Sequence, residues 1–268
     1  MLSFLKTAYS RTPIFIRVMQ ISSIRQFVHF KENSINIDVG CGDGWVSKKI
    51  NDLLPNSASL YSVDWNKPND LHIQDVNFIR SDIHQLPFKS SSVDFILLSS
   101  VLQVVPDDSR LLTEMYRIIN DDGYMVITIP TGYPLIEKIF NIRLCNKIIN
   151  KIKKKNVSYQ TFKDDTNKLY NIDGKGFYTI DQIIGLLRGN GFKVIEYQKS
   201  PGAVGSFIFQ CLIFLRYALG MRKLTSKLDL IFLPFLKLDS IFRSKFEGIE
   251  LVLKLEKIVS PYHSSGSK

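Results

Sequence analysis

Short apolar runs alternate with amphipathic segments through much of the chain, and each kind of segment predicts a different element. The apolar runs are brief and rich in β-branched residues, which is typical of buried parallel strands. The segments between them repeat apolar residues every three or four positions, which indicates helices. The predicted strands are residues 35–39, 59–63, 76–80, 93–99, 124–129, 192–198 and 249–257. The predicted helices include residues 44–54, a segment that begins at Pro106, and residues 180–188. This alternation predicts an α/β fold with a doubly wound sheet.

Turn-forming residues mark several of the expected boundaries. Residues 120–123, with the sequence Asn-Asp-Asp-Gly, predict a sharp turn before the strand at 124–129. Thr179 is a suitable N-cap for the helix at 180–188, and the Gly-Asn-Gly sequence at 189–191 predicts the end of that helix.

Three segments depart from the alternating pattern and divide the chain into predicted parts. Residues 1–30 are apolar and contain no acids, which predicts an N-terminal helical cap, with an organelle targeting segment as the alternative. Residues 131–175 are rich in lysine and asparagine and predict a basic lid, and residues 200–248 predict an apolar helical insert. The predicted core consists of residues 31–130, 176–199 and 249–258. Because lid and insert both leave the carboxyl ends of strands, we expect helical inserts over the active-site face of the sheet.

The apolar insert begins with an unusual run, since residues 200–215 carry no charge. These 16 residues fall short of the roughly 20 that a membrane-spanning helix needs. Apolar helices with basic edges suit contact with a membrane surface, which is one interpretation of residues 203–240. A hydrophobic substrate tunnel, an ordinary buried core and a homodimer interface are the alternatives. The predicted location is the cytoplasm, with membrane association if the first interpretation holds.

The net charge of +10 is unevenly distributed along the chain. Residues 31–130 carry 8 Lys and Arg against 14 Asp and Glu, a net charge of −6, whereas residues 131–268 carry 23 against 11, a net charge of +12. A basic flank favours an anionic partner, such as a phosphorylated substrate, a lipid surface or nucleic acid, although it also suits a plain solvated surface. The three cysteines are widely spaced and odd in number, so neither a disulfide framework nor a metal site is predicted.

A glycine-rich turn after the first predicted strand carries the clearest chemical signal. Residues 38–44 read Asp-x-Gly-x-Gly-x-Gly, which differs from the G-x-G-x-x-G spacing of dinucleotide-binding turns. Glycines let a ligand approach the backbone closely. An acid at the strand end would repel a pyrophosphate but would suit a cationic group, so the turn favours a nucleoside with an amino-acid or sulfonium group.

At these residues the sequence resembles the class I S-adenosylmethionine-dependent methyltransferases of the type that acts on small molecules or lipids. Residues 38–44 match the family's first motif, and residues 60–64, 81–88 and 93–100 match three further blocks in the same order. The resemblance covers residues 25–130, approximately, and resumes near residues 176–198. It implies a Rossmann-like seven-stranded sheet in the order 3-2-1-4-5-7-6, with the seventh strand antiparallel.

The resemblance also implies a site for S-adenosylmethionine at the strand ends. The glycine-rich turn with Asp38 would hold the methionine part, and Asp64 would hold the ribose hydroxyls. The Asp82 carboxylate would meet the adenine amino group, and the Ile83 N–H would meet a ring nitrogen. The predicted cofactor-binding residues are Asp38, Gly40, Cys41, Gly42, Gly44, Asp64, Trp65, Asp82, Ile83 and Ser99.

The catalytic residue is left unassigned. Relatives often carry a histidine near the position of Val104 or Val105, where this chain has valines and no base. His84 is a minor candidate for a general base, because a lone histidine is more often structural. Methyl transfer needs a dedicated base only if the acceptor is protonated.

The predicted reaction is methyl transfer to an O, N or C atom of a small-molecule or lipid-linked acceptor, since the apolar insert favours an amphipathic molecule. A methyltransferase acting on RNA or DNA bases is the alternative that the basic charge supports. No Asn/Asp-Pro-Pro-aromatic motif follows the fourth predicted strand, so nucleic acid is not favoured as a partner. A catalytically silent nucleoside-binding subunit is a third interpretation.

Overall fold

A computed structural model describes residues 14–65, 76–132, 134–153, 177–200, 203–232 and 249–259 of the chain. Parts of all four predicted segments lie outside the described residues. These parts are residues 1–13 of the cap, 133 and 154–175 of the lid, 201–202 and 233–248 of the insert, and 66–75 and 176 of the core.

Seven strands form one sheet in the order β3-β2-β1-β4-β5-β7-β6, which confirms the predicted α/β sheet and its strand order. The strands are β1 (Ile35–Val39), β2 (Ser59–Asp64), β3 (Asn77–Arg80), β4 (Val93–Ser99), β5 (Ile119–Pro130), β6 (Phe192–Ser200) and β7 (Glu250–Lys257). The helices are α1 (Ile14–Ile24), α2 (Trp45–Asn51), α3 (Asp108–Ile118), α4 (Pro134–Asn141), α5 (Arg143–Lys153), α6 (Ile180–Gly189), α7 (Ala203–Ile213) and α8 (Arg222–Phe232). A π-helical segment, Phe214–Ala218, continues α7.

The first five strands in the chain pair in parallel, which sets their carboxyl ends at one edge of the sheet. Asp38 of β1 lies level with Ser62 of β2 and with Leu97 of β4. Asp64, the last residue of β2, lies level with Arg80, the last residue of β3. Residues that follow β1, β2, β3 and β4 therefore emerge side by side.

Strand β7 runs antiparallel to its neighbours. The Ile258 N–H, just past the end of β7, donates to the carbonyl of Gly191, just before β6, at 2.8 Å. The Thr131 N–H, just past β5, donates at 2.8 Å to the carbonyl of Ile249, just before β7. Each hydrogen bond joins the end of one strand to the start of its neighbour, as an antiparallel pair requires.

Residues 120–123, where the sequence predicts a sharp turn, lie within the bounds of β5, which begins five residues earlier than predicted. The register between β4 and β5 shifts there, because Val93 pairs with Ile119 and Phe95 pairs with Tyr124. Residues 120–123 therefore bulge out of the ladder. The Asn120 side-chain amide donates to Asp94 Oδ1 at 2.6 Å, and Lys257 Nζ donates to Asp121 Oδ1 at 2.8 Å, so contacts with two neighbouring strands hold the bulge in place.

The chain forms two compact units. The sheet unit comprises Ile24–Ile129, Tyr178–Gln198 and Val252–Lys268, and the helical unit comprises Met1–Ser23, Pro130–Phe177 and Lys199–Leu251. In the sheet unit, α3 buries a stripe of apolar side chains. Its buried apolar side chains are Leu111, Leu112, Met115 and Ile118. A capping box between Thr179 and Gln182 begins α6, as the sequence predicts for Thr179.

The helical unit has its own hydrophobic core. Its buried members are Met19, Ile136, Phe140, Ile149, Phe209, Leu212, Ile213 and Ile249. Three of these residues belong to α7, so much of the uncharged run is interior packing of this unit. None of the helices in the described ranges has the length and apolar character needed to cross a bilayer.

Candidate cofactor site

The glycine-rich turn joins β1 to α2 and adopts a backbone that only glycine accepts easily. Gly40 has φ +73° and Gly42 has φ +58°, both in the left-handed region. The N–H groups of Gly40 and Cys41 donate to the Val63 carbonyl at 2.8 and 3.0 Å, which fixes the turn to β2. A methyl group on Gly40 would come within 2.6 Å of Val101 Cγ2, whereas one on Gly42 would meet nothing within 4 Å. The turn is therefore closely packed at Gly40 and open at Gly42.

Asp38 lies beneath this turn and is almost completely buried. Ser47 on α2 donates a hydrogen bond to its Oδ2 at 2.5 Å. Its Oδ1 has no hydrogen-bond partner among the described residues. Burial raises the pKa of Asp38 to about 7, the Ser47 hydrogen bond lowers it, and the nearby Asp64 charge raises it. A buried carboxylate with an unsatisfied oxygen is stabilised by a cation, and the methionine ammonium of S-adenosylmethionine is such a group.

Asp64 ends β2 and holds the open part of the turn. Its Oδ2 accepts a hydrogen bond from the Gly42 N–H at 2.9 Å. Trp65 follows with 62% of its surface exposed, and the Arg80 guanidinium lies 5.9 Å from the centre of its ring. The Arg80 Nε also donates to the Trp65 carbonyl at 2.9 Å. The predicted ribose-binding acid and Trp65, another predicted cofactor-binding residue, therefore lie next to each other at the carboxyl end of β2.

Asp82 lies just beyond β3 in a loop that folds back on itself. Its Oδ1 accepts the backbone N–H of His84 and faces the His84 ring Nδ1, both at 2.9 Å. Hydrogen bonds from the His84 backbone and then from its side chain hold the pKa of Asp82 below its usual range. The second ring nitrogen of His84 lies 3.1 Å from the Asp107 carbonyl. Both nitrogens of the candidate base therefore contact protein atoms, and Ile83 between the two residues is half-buried.

The loop after β4 is held by hydrogen bonds and packs against the glycine-rich turn. Ser100 has φ +57°, and its N–H donates to the Thr128 carbonyl at 3.0 Å. Gln103 is buried and donates through Nε2 to the Ser100 carbonyl at 2.7 Å. Val101 packs against Gly40, as described above. Ser99, the predicted member of the site, is half-buried at the end of β4.

A second network fixes the loop that carries Asp82. Glu114 on α3 accepts the Leu86 N–H at 2.6 Å and a hydrogen bond from Arg117 Nη2 at 2.6 Å. Arg117 Nη1 in turn donates to the Phe88 carbonyl at 2.9 Å. The Arg117 guanidinium holds the pKa of Glu114 below its usual range. The far end of the loop is thus attached to α3 by an ion pair.

Cys41 is buried in the turn but is a poor candidate for a nucleophile. Burial raises the pKa of its thiol, and the charges of Asp38 and Asp64 raise it further. A thiol with a raised pKa remains protonated and unreactive near neutral pH.

This chain is similar to known methyltransferases. A family model described as a methyltransferase domain matches residues 37–127, from β1 into β5. A demethylmenaquinone methyltransferase from Listeria welshimeri is 21% identical over 223 residues, which are 74% of this chain and 91% of that protein. These matches support a class I S-adenosylmethionine-dependent methyltransferase. S-adenosylmethionine is the cofactor of such enzymes, and its ammonium group suits the unsatisfied Asp38 oxygen.

Two further proteins resemble this chain, one in its fold and one in its sequence. This methyltransferase shares its fold with a solved S-adenosylmethionine-dependent methyltransferase from Thermotoga maritima. That structure has a TM-score of 0.53 and 15% identity, and the match covers 91% of this chain and 89% of the other. A demethylmenaquinone methyltransferase from Oceanobacillus iheyensis is 26% identical over 109 residues, which are 37% of this chain and 45% of that relative. The chain therefore spans less than half of the length of one curated relative and most of another.

Proposed function

We propose that this methyltransferase transfers a methyl group from S-adenosylmethionine to a small-molecule or lipid-linked acceptor. The observation that carries the proposal is the buried Asp38 carboxylate, which has an unsatisfied oxygen beneath an open glycine-rich turn. An ionised carboxylate buried at this place is costly unless a cationic ligand pairs with it.

Residues at different strand ends would bind different parts of the cofactor. Asp38 would accept hydrogen bonds from the methionine ammonium, and the open backbone at Gly42 would lie along the ligand. Asp64 would accept hydrogen bonds from the ribose hydroxyls, as a carboxylate with two acceptor oxygens can. Asp82 would accept the adenine amino group, and Trp65 would cover one face of the ring.

The chemistry places few demands on the protein. S-adenosylmethionine supplies a methyl group that its sulfonium charge already activates. The chain has to hold the acceptor in line with that methyl group and exclude water, and positioning of this kind supplies much of an enzyme's rate. The left-handed Ser100 and the buried Gln103 shape the end of β4, where the acceptor would lie beside the cofactor.

For the acceptor we favour an apolar, quinone-like or polyprenyl-linked molecule. Two relatives named demethylmenaquinone methyltransferase support this choice, at 26% and 21% identity. An acceptor of this class partitions into bilayers. We therefore also propose that residues 203–240 contact a membrane surface, because four apolar side chains of α7, α8 and the residue before α8 are exposed there. They are Phe207, Met221, Leu224 and Ile231.

A transfer assay with radiolabelled S-adenosylmethionine on fractionated host extract tests the proposed acceptor class. Label is expected in the organic-soluble pool, and an Asp64→Ala variant is expected to remove it. Label found only in RNA or DNA would replace the lipid-linked acceptor with a nucleic-acid base. Cofactor binding by calorimetry without transfer to any pool would support a catalytically silent subunit.

A further inference from the structure

The His84 side chain lies between two hydrogen-bond acceptors. Its Nδ1 is 2.9 Å from Asp82 Oδ1, and its Nε2 is 3.1 Å from the Asp107 carbonyl oxygen. A carboxylate and a carbonyl accept hydrogen bonds but cannot donate them. A neutral imidazole carries one N–H and can satisfy only one of these partners, whereas an imidazolium donates to both. The geometry therefore suits the protonated ring.

The two acceptors belong to different elements of the sheet unit. Asp82 lies in the loop after β3, and Asp107 is the N-cap residue of α3, where its side chain accepts the Arg110 N–H at 2.9 Å. The His84 backbone N–H also donates to Asp82 Oδ1, so one residue supplies two donors to one carboxylate oxygen. Hydrogen bonds from His84 thus fix the rotamer of Asp82 and attach its loop to the start of α3.

We infer that His84, as an imidazolium, is a positioning residue that orients the adenine-binding carboxylate of Asp82 and makes adenosine affinity depend on pH. The inference rests on the proposed adenine contact of Asp82 and is independent of the acceptor. Deprotonation of the ring would leave one N–H for two acceptors, so the hydrogen bond to Asp82 or the one to Asp107 would be lost and the bridge that holds the Asp82 loop against α3 would be broken. The role is distinct from general-base catalysis, for which a ring nitrogen would have to accept a proton from substrate.

Charged groups face His84 from its own loop and from α3. Asp82, on the same loop, has a pKa below its usual range. On α3, the charge of Arg110 also lowers the pKa of Asp82. Asp107 contacts the ring through its backbone carbonyl.

The ion pair between Glu114 and Arg117 holds the far end of the loop without a histidine. Its anchors to Leu86 and Phe88 do not depend on the His84 ring. Loss of the His84 bridge should therefore reorient Asp82 while the fold survives. Thermal unfolding of each variant checks that expectation directly.

The test measures binding of 5′-methylthioadenosine, which carries adenosine but has no ammonium group for Asp38. Calorimetry is done between about pH 5.5 and about pH 8.5, the range across which an imidazole titrates. The wild type should bind about tenfold more weakly at the upper end, as expected for one lost charge-assisted hydrogen bond. His84→Gln should bind weakly at every pH, and His84→Arg, a permanent cation with several donors, should restore binding without the pH dependence. His29→Gln is the matched control, because His29 is an exposed histidine of the same unit.

Equal pH dependence in the wild type and His84→Gln would overturn the inference, and so would a nitrogen NMR spectrum that shows a neutral His84 ring at about pH 6. Failure of the wild type to bind either 5′-methylthioadenosine or S-adenosylmethionine would instead overturn the proposed cofactor site itself. The two kinds of failure are therefore distinguishable.

Discussion

At the scale of single residues, the chemistry of the site is dominated by the cost of burying a charge. Asp38 is buried to about the same degree as the aliphatic side chains around it, and only Ser47 donates to its carboxylate among the described residues. In the folded protein its pKa of about 7 lies above the ordinary value of 3.8. The native state therefore binds a proton that the unfolded chain loses, and stability without cofactor falls as pH rises from about 4 to about 7. A bound ammonium would reverse this effect by stabilising the ionised form.

The first prediction follows from that linkage. The affinity for S-adenosylmethionine should rise as pH increases from about 5.5 to about 7, by up to about tenfold per pH unit. Calorimetry should report it as the ratio of S-adenosylmethionine affinity to 5′-methylthioadenosine affinity, which cancels the contribution of His84. Asp38→Asn, which cannot ionise, should give a ratio that is flat over this range. A ratio that is flat in the wild type would show that Asp38 does not pair with the ammonium.

The second prediction concerns Asp64. Asp64→Ala should weaken S-adenosylmethionine binding by about a hundredfold, because two charge-assisted hydrogen bonds to the ribose are lost, each worth about 1.5 kcal/mol. The matched control is Asp52→Ala, which removes an exposed acid that pairs with Lys49 at 3.2 Å. Calorimetry measures the affinities, and circular dichroism checks that both variants fold. Unchanged affinity in Asp64→Ala would remove this residue from the site.

At the scale of elements, two glycines in the turn between β1 and α2 are expected to have different roles. Gly40 is needed for packing, and Gly42 is proposed to face the ligand. Gly40→Ala should destabilise the protein by about 2–4 kcal/mol, since left-handed strain adds to overlap with the stiff Val101 side chain. Gly42→Ala should cost only about 1 kcal/mol of stability, because its methyl group enters open space. That methyl group should nevertheless weaken cofactor binding, because it would occupy the space along which the cofactor is proposed to lie. Thermal unfolding and calorimetry measure the two effects.

A rescue variant distinguishes overlap from strain in this third prediction. Adding Val101→Ala to Gly40→Ala removes the side chain that the new methyl group would meet at 2.6 Å. The double variant should recover part of the stability lost by Gly40→Ala beyond the cost of Val101→Ala alone. Simple additivity of the two losses would mean that Val101 is not the group that requires glycine at position 40.

The sequence pattern was sufficient to predict the elements that depend only on residues close together in the chain. Fewer than a dozen consecutive residues are enough to recognise the apolar β4, the capping box at Thr179 or the stripe on α3. The strand order, by contrast, was predicted from the family resemblance. The bulge at residues 120–123 could not be found that way, because it depends on the pairing of β5 with β4 and on a contact from Lys257, more than a hundred residues further along the chain. The role of Ser47 has a weaker signal in the sequence. It lies three residues before the buried Ile50, on the inner face of α2, and a buried hydroxyl needs a hydrogen-bond partner.

At the scale of the whole molecule, charge and apolar surface are unevenly distributed along the chain. Residues 131–268 carry a net charge of +12, and they include the exposed apolar side chains of α7 and α8. Deleting residues 203–240 would be a poor test of membrane contact, because Phe209, Leu212 and Ile213 belong to the core of the helical unit. Exposed positions can be changed without disturbing that core, and they allow a sharper experiment.

The fourth prediction is that a Phe207→Glu and Ile231→Glu double variant loses binding to anionic liposomes. These side chains are 58% and 59% exposed, so the substitutions should leave the fold intact while two carboxylates oppose entry into an anionic interface. Ile142→Glu is the matched control, since Ile142 is 53% exposed and lies outside residues 203–240. Cosedimentation with phosphatidylglycerol vesicles at low and high salt measures the binding, which should weaken with salt.

Equal cosedimentation of the double variant and the wild type would exclude these side chains from membrane contact. Analytical ultracentrifugation of the same proteins then tests the homodimer alternative. A wild-type dimer that the double variant converts to a monomer, with unchanged liposome binding, would assign the exposed side chains of α7 and α8 to a subunit interface. Loss of liposome binding with an unchanged sedimentation coefficient would instead support a membrane surface as the partner, because a salt-sensitive apolar contact requires both the exposed side chains and the basic charge of residues 131–268.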